Sequence, residues 1–198
     1  MADIRKPIQK RSIEKKQKIL RAGFELFCEK GYYKTNTIEI AKRAEVSTGA
    51  VYSYFKDKKE IYIAAFESYL NDLSERLFEK LQETHPFTLP VFVDKWIAAY
   101  LELYASTGRA LAQIRMMVIE DKEINHHFSA SENAYMVKIA EILEKNEIRQ
   151  ENMPEKLYIC CVLIDTLRQE QSVFSHSELD FAVLKQQVGN MVINLLSN

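Results

Sequence analysis

The sequence predicts an all-α protein of about nine helices. Glycine and proline are scarce, at five and four of 198 residues, while 47% of the residues are hydrophobic, and this composition favours packed helices over a turn-rich β fold or disorder. Apolar residues recur at helical spacing, with no strand-like alternation of useful length. We divide the chain into a small N-terminal domain, residues 1–60, and a larger helical domain, residues 61–198.

The first eleven residues are basic and nearly free of apolar side chains. They predict a flexible arm that either keeps the chain soluble or lies along phosphates or in a minor groove of DNA. The first helix is expected to begin after Ser12 and to pack through Leu20, Phe24 and Phe27. It ends at Gly31, a residue typical of helix C-termini.

Two short helices follow, joined by a tight turn. Asn36 with Glu39 is a capping-box pattern, and Ile38 is expected to lie with Ala41 and Ala44 on one apolar face. Ser47 is a good N-cap for the next helix, because its hydroxyl can accept a hydrogen bond from a free backbone N–H group.

The second short helix has only a narrow apolar stripe, Val51 and Phe55. Two helices with so little apolar surface cannot form a core of their own. They are better explained as a helix-turn-helix DNA-binding element supported by neighbouring helices.

The remaining segments also read as helices. A long helix from Lys58 to about Glu83 is expected to link the two domains. It is expected to end there because Pro86 and Pro90 follow, and proline disrupts a helix interior. Five more helices are predicted at Val91–Ala105, Arg109–Ile119, Glu123–Asn146, Pro154–Phe174 and Leu179–Leu196.

Charge is distributed unevenly between the two domains. Residues 1–60 hold 15 Lys and Arg against 8 Asp and Glu, a net +7, whereas residues 61–198 hold 12 against 20, a net −8. A basic N-terminal part on an acidic body indicates that one end approaches a polyanion. The alternative is a solvated charged face.

Composition also suggests where the protein works. No apolar run reaches the roughly 18 residues of a membrane span, and the N-terminus has no apolar signal segment. The three cysteines, Cys28, Cys160 and Cys161, form no disulfide framework and suggest reduced thiols. We therefore expect a cytoplasmic protein without membrane contact.

A series of residues between positions 12 and 62 forms a specific pattern. Its members, in order, are Gly31-Tyr32, Thr37-Ile38, Ile40-Ala41, Ala44, Val46-Ser47, Gly49, Val51-Tyr52, Tyr54-Phe55-Lys56, Lys58 and Glu60-Ile61. In this order and spacing, residues 12–62 resemble the DNA-binding domain of the TetR family of bacterial repressors. The resemblance implies a homodimeric, ligand-responsive transcriptional repressor. Glu45 stands where that family often has glycine, so we expect the turn backbone to avoid positive φ there.

The DNA-contacting residues are expected on the outer surface of these helices, because an α-helix fits the major groove. The resemblance implies that Thr37, Tyr52, Tyr54 and Lys58 contact the DNA backbone, and that residues around 47–53 reach bases. The alternative for any one of them is a surface, packing or capping role. The full candidate set is Thr37, Ser47, Thr48, Gly49, Tyr52, Ser53, Tyr54 and Lys58.

The middle helices carry aromatic and methionine side chains that could line a mostly apolar ligand pocket. The same spacing is equally typical of an ordinary helical core. Arg168 could pair with an anionic ligand or form an internal salt bridge, for instance with Asp165. The candidate pocket residues are Trp96, Tyr100, Tyr104, Met116, Met117, Phe128 and Tyr135.

The expected partners are a palindromic DNA operator, a small-molecule effector and a second copy of the chain. Dimerisation is expected through the last two helices, residues 154–174 and 179–196, because a helix-turn-helix protein reaches two half-sites as a dimer. The alternative function is a ligand-independent DNA-binding protein whose C-terminal domain recruits a protein partner. We expect no enzymatic activity, no cofactor and no metal, since no phosphate loop or nucleophile motif occurs.

Overall fold

The computed structural model describes residues 5–105, 107–174 and 176–197, and over these ranges it contains nine α-helices and no strand. The predicted all-α fold class is confirmed. No helix in the described part of the chain has both the length and the apolar character of a membrane span. The helices are α1 Arg5–Lys30, α2 Thr37–Arg43, α3 Thr48–Tyr52, α4 Lys58–Gln82, α5 Leu89–Tyr104, α6 Gly108–Glu120, α7 Lys122–Lys145, α8 Met153–Gln169 and α9 Phe181–Ser197.

The chain forms two compact units, which we describe separately. Unit 1 comprises Met1–Leu70 and Arg109–His127, and unit 2 comprises Asn71–Gly108 and Phe128–Asn198. Helix α4 is continuous through the boundary, with its first half in unit 1 and its second half in unit 2. The division into domains at residue 60 stays a prediction.

Helix α1 begins earlier than the sequence predicts. It starts at Arg5 rather than after Ser12, so residues 5–11 of the expected arm are helical, while residues 1–4 lie outside the described residues. Pro7 does not prevent this, because it falls in the first turn, where the backbone N–H has no helical partner.

The core of unit 1 is an aromatic contact between α1 and α4. The ring centroid of Phe27 lies 5.1 Å from that of Tyr62, which in turn lies 4.5 Å from that of Phe66, and all three side chains are fully buried. Gly23 allows the close approach, since a Cβ atom there would lie 2.9 Å from Cγ2 of Ile61.

Unit 2 packs α5, α8 and α9 against one another. Pro154 lies in the first turn of α8, as predicted. The segment predicted as one helix to Phe174 changes at Glu170, where a π-helical turn, Glu170–Phe174, follows α8. The Glu170 carboxylate accepts hydrogen bonds from the backbone N–H of His176 at 2.5 Å and contacts its Nδ1 at 2.6 Å, which ties the end of this turn to the following loop.

Apolar side chains remain exposed on α8, the π-helical turn, the loop that follows it and α9. In α8, Tyr158 and Val162 are one helical turn apart, and in α9, Val183 and Met191 are about two turns apart, so each pair shares a face. The exposed apolar set is Tyr158, Ile159, Val162, Val173, Phe174, Leu179, Val183 and Met191.

Candidate DNA-binding surface

Helix α2 begins at a side-chain cap. The Asn36 carboxamide oxygen accepts from the backbone N–H of Glu39 at 2.9 Å, whereas the Glu39 carboxylate turns to Lys30 at 2.8 Å and does not complete the capping box. Ile40 and Ala41 are buried, but Ile38 is 67% exposed. The expectation that Ile38 packs on the apolar face is wrong, because α2 is rotated so that Ile40 enters the core.

Helix α3 is held by its cap and by two buried anchors. The Ser47 hydroxyl accepts from the backbone N–H of Ala50 at 3.1 Å, as the sequence predicts. Val51 is buried on α3, which fixes the rotation of this short helix. The prediction that Phe55 shares this helix is wrong, because α3 ends at Tyr52, but Phe55 is buried just beyond its end. The opposite side of α3 is therefore presented outward.

The turn between α2 and α3 carries backbone strain. Glu45 adopts φ of 56°, in the left-handed region where a side chain costs free energy and glycine does not. The expectation that the turn avoids positive φ here is wrong. The backbone N–H of Val46 donates to the Ala41 carbonyl at 3.0 Å, which closes the turn around this residue.

The outward side of α3 is small and polar. A Cβ added at Gly49 would meet nothing within 4 Å, so the backbone there is open to close approach. Thr48 is half-buried, and the exposed Ser53 hydroxyl donates to the Ala50 carbonyl at 2.7 Å. Together with Ser47, these residues form a surface that protrudes little beyond the backbone.

Two tyrosine hydroxyls flank this surface. The Tyr52 hydroxyl lies 3.0 Å from that of Thr37, and the Tyr54 hydroxyl lies 3.1 Å from that of Ser12. Tyr52 is 55% exposed, whereas Tyr54 is half-buried. The structure thus brings Thr37, Tyr52 and the outer side of α3 together.

Lys58 is turned toward the protein. Its Nζ donates to the backbone carbonyls of Tyr32 at 2.8 Å and Thr35 at 2.9 Å and lies 4.2 Å from the Tyr32 ring centroid. Burial lowers the pKa of this ammonium group. Lys58 therefore fixes the loop before α2. One of its three N–H donors remains for a phosphate.

Surface ion pairs join α1 to α2. Arg43 pairs with Glu25 at 3.2 Å and with Glu29 at 3.0 Å. The Arg43 guanidinium, by hydrogen bonding, holds the pKa of the Glu29 carboxyl below its usual range. Exposed pairs of this kind contribute little stability, but they occupy a cation that would otherwise be available to phosphate.

The start of α4 is also linked to the turn between α6 and α7, within unit 1. Lys59 Nζ contacts the carboxylates of Asp121 and Glu123, each at 2.9 Å, and Tyr33 donates a hydrogen bond to Glu120. Glu120, Asp121 and Glu123 are close together in the sequence. Their partners lie more than 60 positions away, so no local signal identifies them.

Only part of the predicted ligand set is brought together. In unit 2, Trp96 Nε1 donates to the Tyr135 hydroxyl at 2.7 Å, and the rings of Tyr100 and Tyr104 stack with centroids 4.3 Å apart. Phe128 is buried and also belongs to unit 2. Met116 and Met117 belong to unit 1, where Met116 is 52% exposed and Met117 is buried.

Arg168 forms the predicted internal salt bridge. Its Nε donates to Asp165 at 2.6 Å, and its side chain is 2% exposed. His127 Nδ1 lies 2.8 Å from Glu67. Among the described residues, no group of three or more His, Cys, Asp or Glu side chains could hold a metal ion.

A capped two-helix element with a low, polar outer face, within an all-α fold, has the geometry of a helix-turn-helix motif. Residues 19–65 match the family model described as bacterial regulatory proteins, tetR family. This part of the chain is a DNA-binding domain of the TetR family type.

Curated relatives support this assignment over part of the chain. The transcriptional regulator HbdR of Aromatoleum sp. is 32% identical over 119 residues, covering 56% of this chain and 52% of that protein. The fatty acid metabolism regulator protein of Bacillus subtilis is 36% identical over 69 residues, covering 35% and 36%. The chain thus matches about half or less of the length of these relatives.

Solved structures share the fold over nearly the whole chain. A structure described as a TetR-family regulator from Mesorhizobium loti superposes with a TM-score of 0.75 at 16% identity, covering 94% of this chain and 97% of that one. The regulator FadR from Bacillus subtilis, solved in complex with stearoyl-CoA, gives 0.64 at 23% identity, covering 89% and 97%. At these identities the likeness establishes the fold alone.

Proposed function

We propose that this protein is a transcriptional repressor that binds a palindromic operator as a homodimer and leaves it when a small, largely apolar ligand binds. The DNA-reading part comprises residues 1–60, and the sensing and dimerising part comprises residues 61–198. The observation that carries the proposal is the outer face of α3. There Gly49 is open to close approach, and the buried anchors Val51 and Phe55 hold the helix in one orientation.

Base contacts are assigned to α3 and backbone contacts to its surroundings. Ser47, Thr48, Gly49 and Ser53 form the low face that enters the major groove. Exposed hydroxyl groups at the ends of α2 and α3 donate to phosphates, and the net charge of +7 on residues 1–60 attracts the duplex. The backbone-contacting residues are Thr37, Tyr52, Tyr54 and Lys58, the last through its remaining donor.

The exposed apolar faces of α8 and α9 support dimerisation. A large apolar surface that stays in water is unfavourable, and burial against the same surface of a second copy removes it. Two copies present two α3 helices, which matches an operator of two half-sites about one helical turn, or a multiple of it, apart. Helix α9 and the segment from α8 to Phe174 provide the interface.

The ligand acts by shifting a population. It binds in the helical part of residues 61–198 and favours a conformation in which the two α3 helices no longer match successive major grooves. Helix α4 runs from the end of the DNA-reading part into unit 2, so a tilt of this helix reaches both parts. Ligand-saturated protein loses operator affinity in a gel-shift titration.

Selection of bound sequences from random duplex DNA tests the operator proposal. We expect an inverted repeat with a fixed spacing between half-sites, and a direct repeat or no enrichment contradicts the proposal. Val162→Glu and Met191→Glu, on the exposed faces of α8 and α9, test the dimer by sedimentation. Both should give monomers with weak operator binding, whereas Val137→Glu, at a 50% exposed position of α7, should remain dimeric.

A further inference from the structure

A polar and aromatic cluster in unit 2 is built from α4, α5, α7 and α8. Trp96 Nε1 donates to the Tyr135 hydroxyl at 2.7 Å, and the Tyr100 hydroxyl donates to Asp165 Oδ1 at 3.0 Å. The ring of Phe78 packs against Tyr135 with centroids 5.4 Å apart. We call these five residues the Trp96–Tyr135 cluster.

One donor of this cluster is unused. The Tyr135 oxygen accepts from Trp96, and within the described part of the chain its own hydroxyl hydrogen has no acceptor. The Tyr100 hydroxyl hydrogen, by contrast, is committed to Asp165. An unused donor away from water costs free energy, so an acceptor oxygen placed there would be stabilised.

The unused donor lies in a desolvated setting that is still reachable. Burial raises the pKa of Tyr135 well above its ordinary value, and burial does the same for Tyr100, so both phenols keep their protons. Burial also raises the pKa of Cys161 to about 12. Yet all three residues are half-buried rather than fully enclosed, so part of each side chain is accessible to a ligand.

The charges around the cluster are already compensated. The carboxylate of Asp165 accepts from Arg168 Nε at 2.6 Å through Oδ1 and from Gln169 Nε2 at 2.9 Å through Oδ2. Glu132 adds negative charge close to Cys161. A carboxylate ligand would meet these acidic groups, and a cationic ligand would meet an aspartate that is already paired with arginine. An uncharged ligand avoids both costs.

We infer that the Trp96–Tyr135 cluster binds an uncharged, largely apolar carbonyl compound whose oxygen accepts a hydrogen bond from the Tyr135 hydroxyl. The bond from Trp96 polarises this hydroxyl and strengthens it as a donor. The aromatic rings supply the apolar walls. The inference rests on the proposed function, because it names the chemical class of the effector and the residue that anchors it.

Trp96 is the single tryptophan of the chain, so its fluorescence reports directly on this site. Full-length protein is titrated with straight-chain methyl ketones of six to twelve carbons, with the alkenes of equal length, with the matching fatty carboxylates and with alkyltrimethylammonium ions. We expect the ketones to bind about tenfold more tightly than the alkenes, in line with one neutral hydrogen bond, and more tightly than either ion.

Tyr135→Phe removes the donor and keeps the ring. In this variant the ketone should lose its tenfold advantage while the alkene binds as before, which also shows that the site is still formed. Tyr158→Phe, at an exposed position of α8, should keep the full advantage. If Tyr135→Phe does not fold, Trp96→Phe with Tyr135→Phe removes both partners of the bond, and thermal shift replaces fluorescence.

Three results would overturn the inference. These are equal affinity of wild-type protein for ketones and alkenes, tighter binding of the carboxylate or the ammonium ion, and an unchanged ketone advantage in Tyr135→Phe. A gel shift with ketone-saturated protein tests the proposed effector role separately from ketone binding at this site. Ketone binding that leaves operator affinity unchanged supports the site and contradicts the effector role.

Discussion

The hydroxyl groups of Thr37 and Tyr52 lie 3.0 Å apart and join the first residue of α2 to the last residue of α3. This hydrogen bond connects the two ends of the helix-turn-helix on its outer surface. Because Val51 and Phe55 hold the inner side of α3, the element is fixed on both faces. The Tyr52 hydroxyl is thereby held at the edge of the proposed DNA-reading surface.

Tyr52→Phe should weaken operator binding with little effect on folding. It removes the bond to Thr37 and the proposed phosphate contact, and we expect a loss of about fivefold in affinity, in line with one neutral hydrogen bond. Stability should change by less than about 0.5 kcal/mol, as for most exposed positions. Fluorescence anisotropy with a selected operator measures the first effect and urea unfolding the second. Unchanged affinity would assign Tyr52 a packing role.

Glu45→Gly should stabilise the protein by about 1 kcal/mol. Glycine adopts the observed φ of 56° without the steric cost that the glutamate bears. The matched control is Glu79→Gly, at an exposed position inside α4, which should destabilise by about 1 kcal/mol because glycine is a poor helix former. The urea midpoints of both variants measure these changes in stability. If both variants are stabilised, or both destabilised, the strain argument is contradicted.

Gly23→Ala should destabilise unit 1 by about 1–3 kcal/mol. The added Cβ would lie 2.9 Å from Ile61 Cγ2, so α1 and α4 must move apart or Ile61 must leave its rotamer. Thermal unfolding measures the loss. In Gly49→Ala, where the new methyl meets nothing within 4 Å, stability should be retained while operator affinity falls, because the methyl blocks close approach of the backbone.

Asp121 should contribute to the pH dependence of stability. The Lys59 ammonium and then the backbone N–H groups of Ile124 and Glu123 lower the pKa of its carboxyl. A carboxyl whose pKa is lower in the folded state stabilises the protein above its unfolded pKa of about 4, and this contribution disappears as the pH falls through the folded pKa.

Asp121→Asn should therefore lose stability at pH 7 and show a smaller further loss between pH 5 and pH 3 than the wild type does. Urea midpoints across this range provide the measurement. Lys59→Gln should flatten the same part of the curve, since it removes the partner that lowers the pKa. If both variants keep the wild-type dependence of the urea midpoint on pH, the Lys59–Asp121 pair does not contribute to that dependence.

Local capping made much of the DNA-reading element predictable. Asn36 and Ser47 accept from backbone groups three residues away, so the pattern and its consequence lie within one turn of helix. The backbone angle at Glu45 has no such local signature. This angle results from the hydrogen bond between Val46 and Ala41 that closes the turn. The sequence shows only that no glycine is present in the turn, which does not predict a positive φ.

Long-range partners explain the other differences. Lys58 reads as a surface lysine, but its acceptors lie 26 and 23 positions earlier in the chain. The sequence predicts too late a start for α1, because residues 5–11 have no apolar stripe that indicates a helix. The predicted ligand set, similarly, mixed residues of unit 1 with residues of unit 2, since aromatic spacing does not say which core a side chain joins.

The inward position of Lys58 has a chemical consequence. Reagents that acylate lysine need an uncharged, accessible amine, and this one is held by two backbone carbonyls and an aromatic ring. Exposed lysines such as Lys56 would be modified first. An acyl group on Lys58 would leave only one N–H donor for the two carbonyls. The rate at which Lys58 is acylated therefore measures how often the loop between α1 and α2 opens.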